Sequence, residues 1–375
     1  MPKKMNLTNK LHQPLILERI SQSDSLAPKT YPLVVELDTT EACDLACPGC
    51  ISEDIVQNGA RFSNERLLQL GEELYDAGVK AVVLIGGGEP LAHPAVGELI
   101  DYFGTHDIHI GITTNGTFIH KYLEPIAKYS SWTRVSMDAA TNKLFQKLRP
   151  SKGGKSKFDQ IIANMRQLAK VKQGKLGYSY LIQTEADGNG VVPNIHEIYA
   201  AAELARDIGC DYFEVKPSYQ FRKGIEHALM KHSQEKMDQA RAEIERLDEL
   251  ETDSFSIIKA INLDASLNGI NEPQPKDYKR CPASILRTLI APSGVFVCPY
   301  WRGKIQYNMG QLHDQSFQSL WHGQCRAEVM NYLDAGKQCN FHCLRHLSNL
   351  ETIAITNALE QGNPIATVDE FDRFI

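Results

Sequence analysis

Three cysteines stand close together near the front of the chain, in Cys43-Asp-Leu-Ala-Cys47-Pro-Gly-Cys50. Thiolates at this C-x3-C-x2-C spacing can cap three corners of an iron–sulfur cubane and leave the fourth iron without a protein ligand. An open iron is a place for a cofactor or substrate to coordinate, as the open position of a catalytic zinc is. A zinc site completed by a distant residue, or cysteines that bind nothing, are the competing readings of the spacing. Five more cysteines lie toward the other end: Cys281, Cys298, Cys325, Cys339 and Cys343. Cys281 and Cys298, with the pair in Cys339-Asn-Phe-His-Cys343, supply four thiolates, enough to close a second [4Fe–4S] cluster. A structural zinc ion is the main alternative occupant. Cys325 is a spare thiol or an exchangeable ligand, and Cys210, alone in mid-chain, reads as a small buried hydrophobe.

These groups need elements to hold them, and the periodicity supplies candidates. Strand patterns fall at 33–37, Ala81–Ile85, 108–113, 132–137, 178–183 and Tyr212–Lys216, and helical spacing falls between them. Ser63 is placed to cap the helix that carries Leu67, Leu70 and Leu74, and Phe158, Ile161, Ile162, Met165 and Leu168 line one face of another. Asn194 with Glu197 reads as a capping box for the helix that Gly209 ends. Strands alternating with helices predict an α/β fold with a parallel sheet. Six strand units fall short of eight, so the expectation is a partial (βα)6 TIM-like barrel over 31–217, with its site at the carboxyl ends of the strands. Residues 1–30 read as a polar N-terminal extension and 218–279 as a connection with one charged helix. The stretch 280–375 reads as a small cysteine-rich C-terminal auxiliary-cluster domain and tail.

The cysteine loop after the first strand resembles that of the radical S-adenosylmethionine (SAM) superfamily. The resemblance runs on through Gly86-Gly87-Gly88-Glu89-Pro90 after the second strand, Thr113-Thr114-Asn115-Gly116 after the third, and Ser136 and Asp138 at the end of the fourth. It implies that Cys43, Cys47 and Cys50 hold a [4Fe–4S] cluster. It also implies that Gly87, Gly88, Glu89, Asn115, Ser136 and Asp138 contact SAM, Glu89 by meeting the methionyl amine. In that family the reduced cluster cleaves SAM to methionine and a 5′-deoxyadenosyl radical, which takes hydrogen from substrate. One departure is Gly49, where the family usually has an aromatic residue beside the adenine; Tyr180 or Ile182 would have to serve instead. The second cysteine group resembles the twitch domain, the short relative of the SPASM domain, which implies an auxiliary [4Fe–4S] cluster at Cys281, Cys298, Cys339 and Cys343.

Composition narrows the partners. The formal net charge is −6, with no densely basic stretch, so a nucleic-acid partner has no electrostatic support. No apolar run approaches the length of a membrane span, and nine cysteines without a secretion signal suggest a reducing, cytoplasmic address. A reducing partner such as flavodoxin or ferredoxin is expected. His93 and His342 read as structural. Tyr300, Trp301 and Arg302 after Cys298 border a cavity or pack, Arg302 being suited to an anionic group. The ending 343–375 resembles twitch-type proteins of sugar, cyclitol or surface-polysaccharide metabolism. The leading expectation is therefore a radical SAM oxidoreductase or epimerase acting on a small, sugar- or cyclitol-like polyol. Cys210 and Cys325 are then candidate hydrogen donors. The first alternative is a peptide-modifying maturase, set second because 1–30 is too short for the N-terminal peptide-recognition domain that such enzymes often carry. A non-catalytic metal-binding structural protein is the alternative of another class.

Overall fold

The continuous apolar run Ala81–Ile85 forms a strand, as five short-branched residues bounded by Lys80 and the glycines at 86–88 require. In chain order the strands are β1 (Val34–Asp38), β2 (Ala81–Ile85), β3 (His109–Thr114), β4 (Ser130–Ser136), β5 (Lys175–Leu181), β6 (Tyr212–Lys216), β7 (Tyr219–Arg222), β8 (Ile225–Leu229), β9 (Ser256–Lys259), β10 (Arg287–Ala291) and β11 (Gly294–Phe296). The computed structural model describes all residues except 1–2, 5–6, 23–29, 187–189, 223–224, 230–231, 271 and 371. The chain divides into two compact units.

One unit holds Met1–Met5, Ala42–Gln57 and Ile112–Pro273. Its strands run β9-β6-β5-β4 with parallel neighbours, and the two-residue strand Lys3–Lys4 adds to β9. The helix Phe158–Val171 buries Phe158, Ile161, Ile162, Met165 and Leu168, the face that its spacing predicted. Gly209 closes Ile198–Ile208 in the left-handed conformation at φ +94°, where glycine carries no Cβ penalty. The expected capping box is absent. Asn194 instead accepts from Gln183 N at 2.7 Å and donates to the carbonyls of Asp138 and Leu181, both at 2.9 Å. Glu197 accepts from Ala140 N, Thr141 N and Thr141 Oγ1 at 2.6–3.0 Å. Asn194 thus ties the end of β5 to the loop after β4, and Glu197 binds that same loop, rather than either capping its own helix.

The other unit holds Asn6–Glu41, Asn58–Gly111 and Gln274–Ile375. Its strands run β2-β1-β10-β11, parallel except for the β10–β11 hairpin. Ser63 caps Asn64–Asp76 by accepting from Arg66 N, and Leu67, Leu70 and Leu74 are fully buried. Where the sequence suggested only a polar extension, Pro14–Gln22 is a helix that buries Ile16 and Ile20. The strand β9 and the parallel seat of β10 beside β1 also went unforeseen, since neither short run shows a period of its own.

Candidate active site and metal centres

The first cysteine loop is laced to the segment after Arg149. Ala46 N donates to Pro150 O at 2.8 Å, and Lys152 N donates to Asp44 O at 2.9 Å. Two donors approach the thiols: Asn115 Nδ2 lies 3.8 Å from Cys43 Sγ, and an Arg149 guanidinium nitrogen 4.0 Å from Cys47 Sγ. Asn115 is itself fixed, donating to Asp44 Oδ1 at 2.8 Å and accepting from Thr117 N at 2.9 Å. Burial pushes the Cys47 thiol up to about 11, against the pull of Arg149. A thiol held neutral in this way stays unreactive until a metal displaces its proton. Three free thiols with cationic and amide donors at sulfur fit the three-thiolate end of a cubane.

Gly49 now has a backbone reason. Its φ of +67° lies in the left-handed region, and a Cβ there would stand 3.0 Å from Val191 Cγ2. An aromatic residue at this position would be strained as well as crowded. Tyr180 is fully buried, with its hydroxyl donating to Asn194 O at 2.6 Å, and Ile182 is buried as well. Asp138, also at positive φ (+59°), commits both carboxylate oxygens. Oδ1 accepts from Leu181 N at 2.7 Å and Oδ2 pairs with Arg149, so Asp138 aims the guanidinium that reaches Cys47. Ser136 ends β4 on the face shared by Arg134.

In the other unit, Gly86–Gly88 make a turn only glycine permits: a Cβ on Gly86 would meet Gly88 O at 1.7 Å. Glu89 is buried and accepts from Leu91 N at 3.0 Å. Asp38, at the end of β1, receives the Gly87 N–H and an ion pair from Arg302 at 2.7 Å. Arg302 is thus taken by the protein's own carboxylate. Tyr300 stacks on Phe341 with centroids 4.3 Å apart, and Trp301 on Tyr307 at 3.8 Å, so both pack.

Cys281, Cys298, Cys339 and Cys343 lie close enough to raise one another's thiols. Burial is the larger cause, lifting Cys339 and Cys343 to about 12 and Cys298 further. Asn349 Nδ2 stands 3.7 Å from Cys281 Sγ, and Arg345 N donates to Cys343 Sγ at 3.4 Å. The buried Lys276 donates to Phe341 O at 3.0 Å, within the loop between Cys339 and Cys343, and its charge opposes the rise of Cys281, Cys339 and Cys343. Among the described residues no three histidine, cysteine, aspartate or glutamate side chains converge as ligands of one ion. A cubane spreads its thiolates over separate irons, whereas zinc draws them to within roughly 3.8 Å of one another.

The remaining expectations fall as follows. Cys210 is buried at the amino end of β6, its thiol driven well up by burial, and Cys325 is exposed in the helix Gln324–Tyr332. His93 is buried, bonded to Phe62 O and accepting from Ala95 N, and His342 is buried. Sequence reasoning passed over Arg134, Arg149, Glu214, Lys216 and Lys276. A signal existed for two of them: Glu214 and Lys216 on β6 are charges at alternate positions of a strand otherwise apolar or aromatic. No helix among the described residues is long and apolar enough to cross a membrane.

Residues 37–187 match the model of the Radical SAM superfamily. Mycofactocin maturase MftC of Mycobacterium tuberculosis (strain CDC 1551 / Oshkosh) is 25% identical over 300 residues, which cover 77% of this chain and 70% of that protein. The antilisterial bacteriocin subtilosin biosynthesis protein AlbA of Bacillus subtilis (strain 168) is 26% identical over 196 residues, 52% of this chain and 41% of that protein. The structure of Streptococcus suis SuiB bound to precursor peptide SuiA superposes with a TM-score of 0.57 at 14% identity, covering 84% of this chain and 75% of SuiB. This likeness gives the α/β fold with a mostly parallel sheet that the strand order shows. Two expectations are corrected. The sugar- or cyclitol-like polyol, and with it a small molecule as substrate partner, is overturned by relatives that are a maturase and a bacteriocin biosynthesis protein. The ending that suggested the polyol is occupied with packing: Asp372 pairs with Lys10 and its carbonyl accepts from Gln13, while Arg373 pairs with Asp107. Residues 37–187 are thus a Radical SAM domain, which implies SAM and a [4Fe–4S] cluster, and over most of its length the chain is homologous to the mycofactocin maturase.

Proposed function

We propose that this protein is a peptide-modifying radical SAM maturase, with its SAM-cleaving cluster on Cys43, Cys47 and Cys50 and an auxiliary cluster on Cys281, Cys298, Cys339 and Cys343. The observation that carries the reading is the 300-residue match to MftC, longer than the stretch 37–187 can hold, so that the likeness extends past the radical SAM domain. SuiB, of the same fold, is held with a precursor peptide. When bound, the cluster and SAM supply a 5′-deoxyadenosyl radical that takes a hydrogen atom from the substrate. The chain's own part is to orient and to exclude water. Arg149 and Asn115 stabilise thiolate charge at Cys47 and Cys43, and Asp38 holds the glycine turn before Glu89, the residue that the family resemblance assigns to the methionyl amine. Nine free cysteines suit a reducing compartment.

The test is anaerobic reconstitution with iron and sulfide, then SAM and dithionite. The intact protein forms 5′-deoxyadenosine, and replacing Cys43, Cys47 and Cys50 by alanine abolishes that product and removes about four irons per chain. A triple variant with its iron intact would refute the first site. Zinc and no residual iron in that variant would refute the second cluster. Hydrogen transfer from SAM-derived product to or from a peptide, followed with deuterated peptide, tests the substrate class.

A further inference from the structure

The inner face of the sheet carries a charge that the SAM-binding residues do not use. β4, β5 and β6 are in register, with Arg134 opposite Gly177 and Ser136 opposite Ser179. Across the next pairing Gly177 stands opposite Tyr212, Ser179 opposite Glu214 and Leu181 opposite Lys216. Directly opposed residues share a face. Arg134, Ser136, Glu214 and Lys216 therefore lie on one face, while Tyr178, Tyr180, Phe213 and Val215 form the fully buried other face. Glycine at 177 is required here, because a Cβ would stand 2.0 Å from the Tyr212 ring.

On that polar face two cations share one carboxylate. Arg134 donates to Glu214 Oε2 at 2.9 Å and to Thr113 Oγ1 at 3.1 Å, and Lys216 Nζ stands 3.7 Å from the same Glu214 oxygen. The nearby Asp138 and Arg149 cancel each other in their own pair. Among the described residues one positive charge is left over. It is accessible, since the Lys216 side chain keeps 26% of its surface exposed against 4% for Glu214. The buried Arg134 Nε has no hydrogen-bond partner among the described residues.

We propose that Lys216, with Arg134 beside it, anchors a carboxylate of the peptide substrate on the inner face of the sheet. This rests on the peptide reading above and adds the chemistry by which the peptide is held. Ser136, which the family resemblance assigns to SAM, and Glu214 lie two strand spacings apart, about 10 Å, so a carboxylate at Lys216 sets the reacting residue about three extended residues from the anchor. Burial lowers the Lys216 ammonium below its ordinary range in spite of Glu214, and an anion beside it favours the charged form. The carboxylate can be the C-terminus or an Asp or Glu side chain, which the probes below separate.

Three pools of N-acetylated five-residue peptides are each mixed with the reconstituted, SAM-loaded protein, and retained peptides are read by ultrafiltration and mass spectrometry. One pool is amidated and free of Asp and Glu, the second amidated with Asp and Glu, and the third free of both but with an open C-terminal carboxylate. About tenfold stronger retention of a carboxylate pool over the neutral pool is expected, the scale of one charge-assisted hydrogen bond. The second pool alone points to a side chain and the third alone to the C-terminus. Lys216→Gln should erase the preference and Lys216→Arg should keep it, and the wild-type comparison decides carboxylate dependence by itself should Lys216→Gln not fold. Equal retention of all three pools overturns the anchor while leaving a peptide substrate standing. Retention of no peptide from any pool counts against the peptide reading and takes the anchor with it.

Discussion

The Arg302 guanidinium lies 2.7 Å from Asp38, with 7% and 0% of the two side chains exposed, and Asp38 in turn receives the Gly87 N–H. The residue four positions after Cys298 therefore holds the end of β1 and, through it, the glycine turn. Removing one partner leaves a buried charge alone, which costs about 3–5 kcal/mol. Arg302→Met and Asp38→Asn should each destabilise strongly, and the double variant by less than their sum. Chemical denaturation in a double-mutant cycle measures the difference, and additive losses would contradict the coupling.

Burial raises Asp38 to about 6 although Arg302 opposes it. A carboxyl raised above its unfolded value binds its proton better when folded, so its contribution is full below about pH 4 and lost as pH rises through 6. The stability of wild type relative to Asp38→Asn should fall over that window by on the order of 3 kcal/mol. Unfolding midpoints at half-unit pH intervals give the curve, and a flat difference would show that Asp38 titrates elsewhere.

Gly86→Ala places a methyl group where Gly88 O already stands, 1.7 Å away, and the turn must open. SAM affinity should drop by tenfold or more, one hydrogen bond's worth or above, in equilibrium dialysis. Iron bound at Cys43, Cys47 and Cys50 should stay, because Gly86 is not a ligand. Undiminished SAM binding would remove this turn from the site.

Lys276 brings a buried positive charge to the loop Cys339–Cys343 through its 3.0 Å bond to Phe341 O. With a cluster bound there, that charge favours the reduced state, so Lys276→Met should lower the reduction potential by some tens of millivolts. A redox titration followed by electron paramagnetic resonance, in the variant lacking Cys43, Cys47 and Cys50, isolates the second site. An unchanged potential would make Lys276 a packing residue only.

Much of the fold was legible because strands such as Ala81–Ile85 and helices such as Phe158–Val171 declare themselves by local period. The capping box at Asn194 and Glu197 was misread for the opposite reason. Their polar atoms serve a loop some 55 residues away in sequence, and no local pattern reports such a partner. Gly49 looked like a lost aromatic contact and is a backbone position at positive φ.

The sequence by itself determined the superfamily and the cofactors it implies, since cysteine spacing and the order of motifs along successive strands are properties of the chain read end to end. The polyol substrate it suggested was overturned by the relatives. The tertiary structure decided which charges meet. Arg302 with Asp38, Asp138 with Arg149, and Lys216 and Arg134 on one Glu214 oxygen are pairings across strands and loops. Coulomb interaction depends on distance in space, and that distance exists only once the strands stand side by side in register.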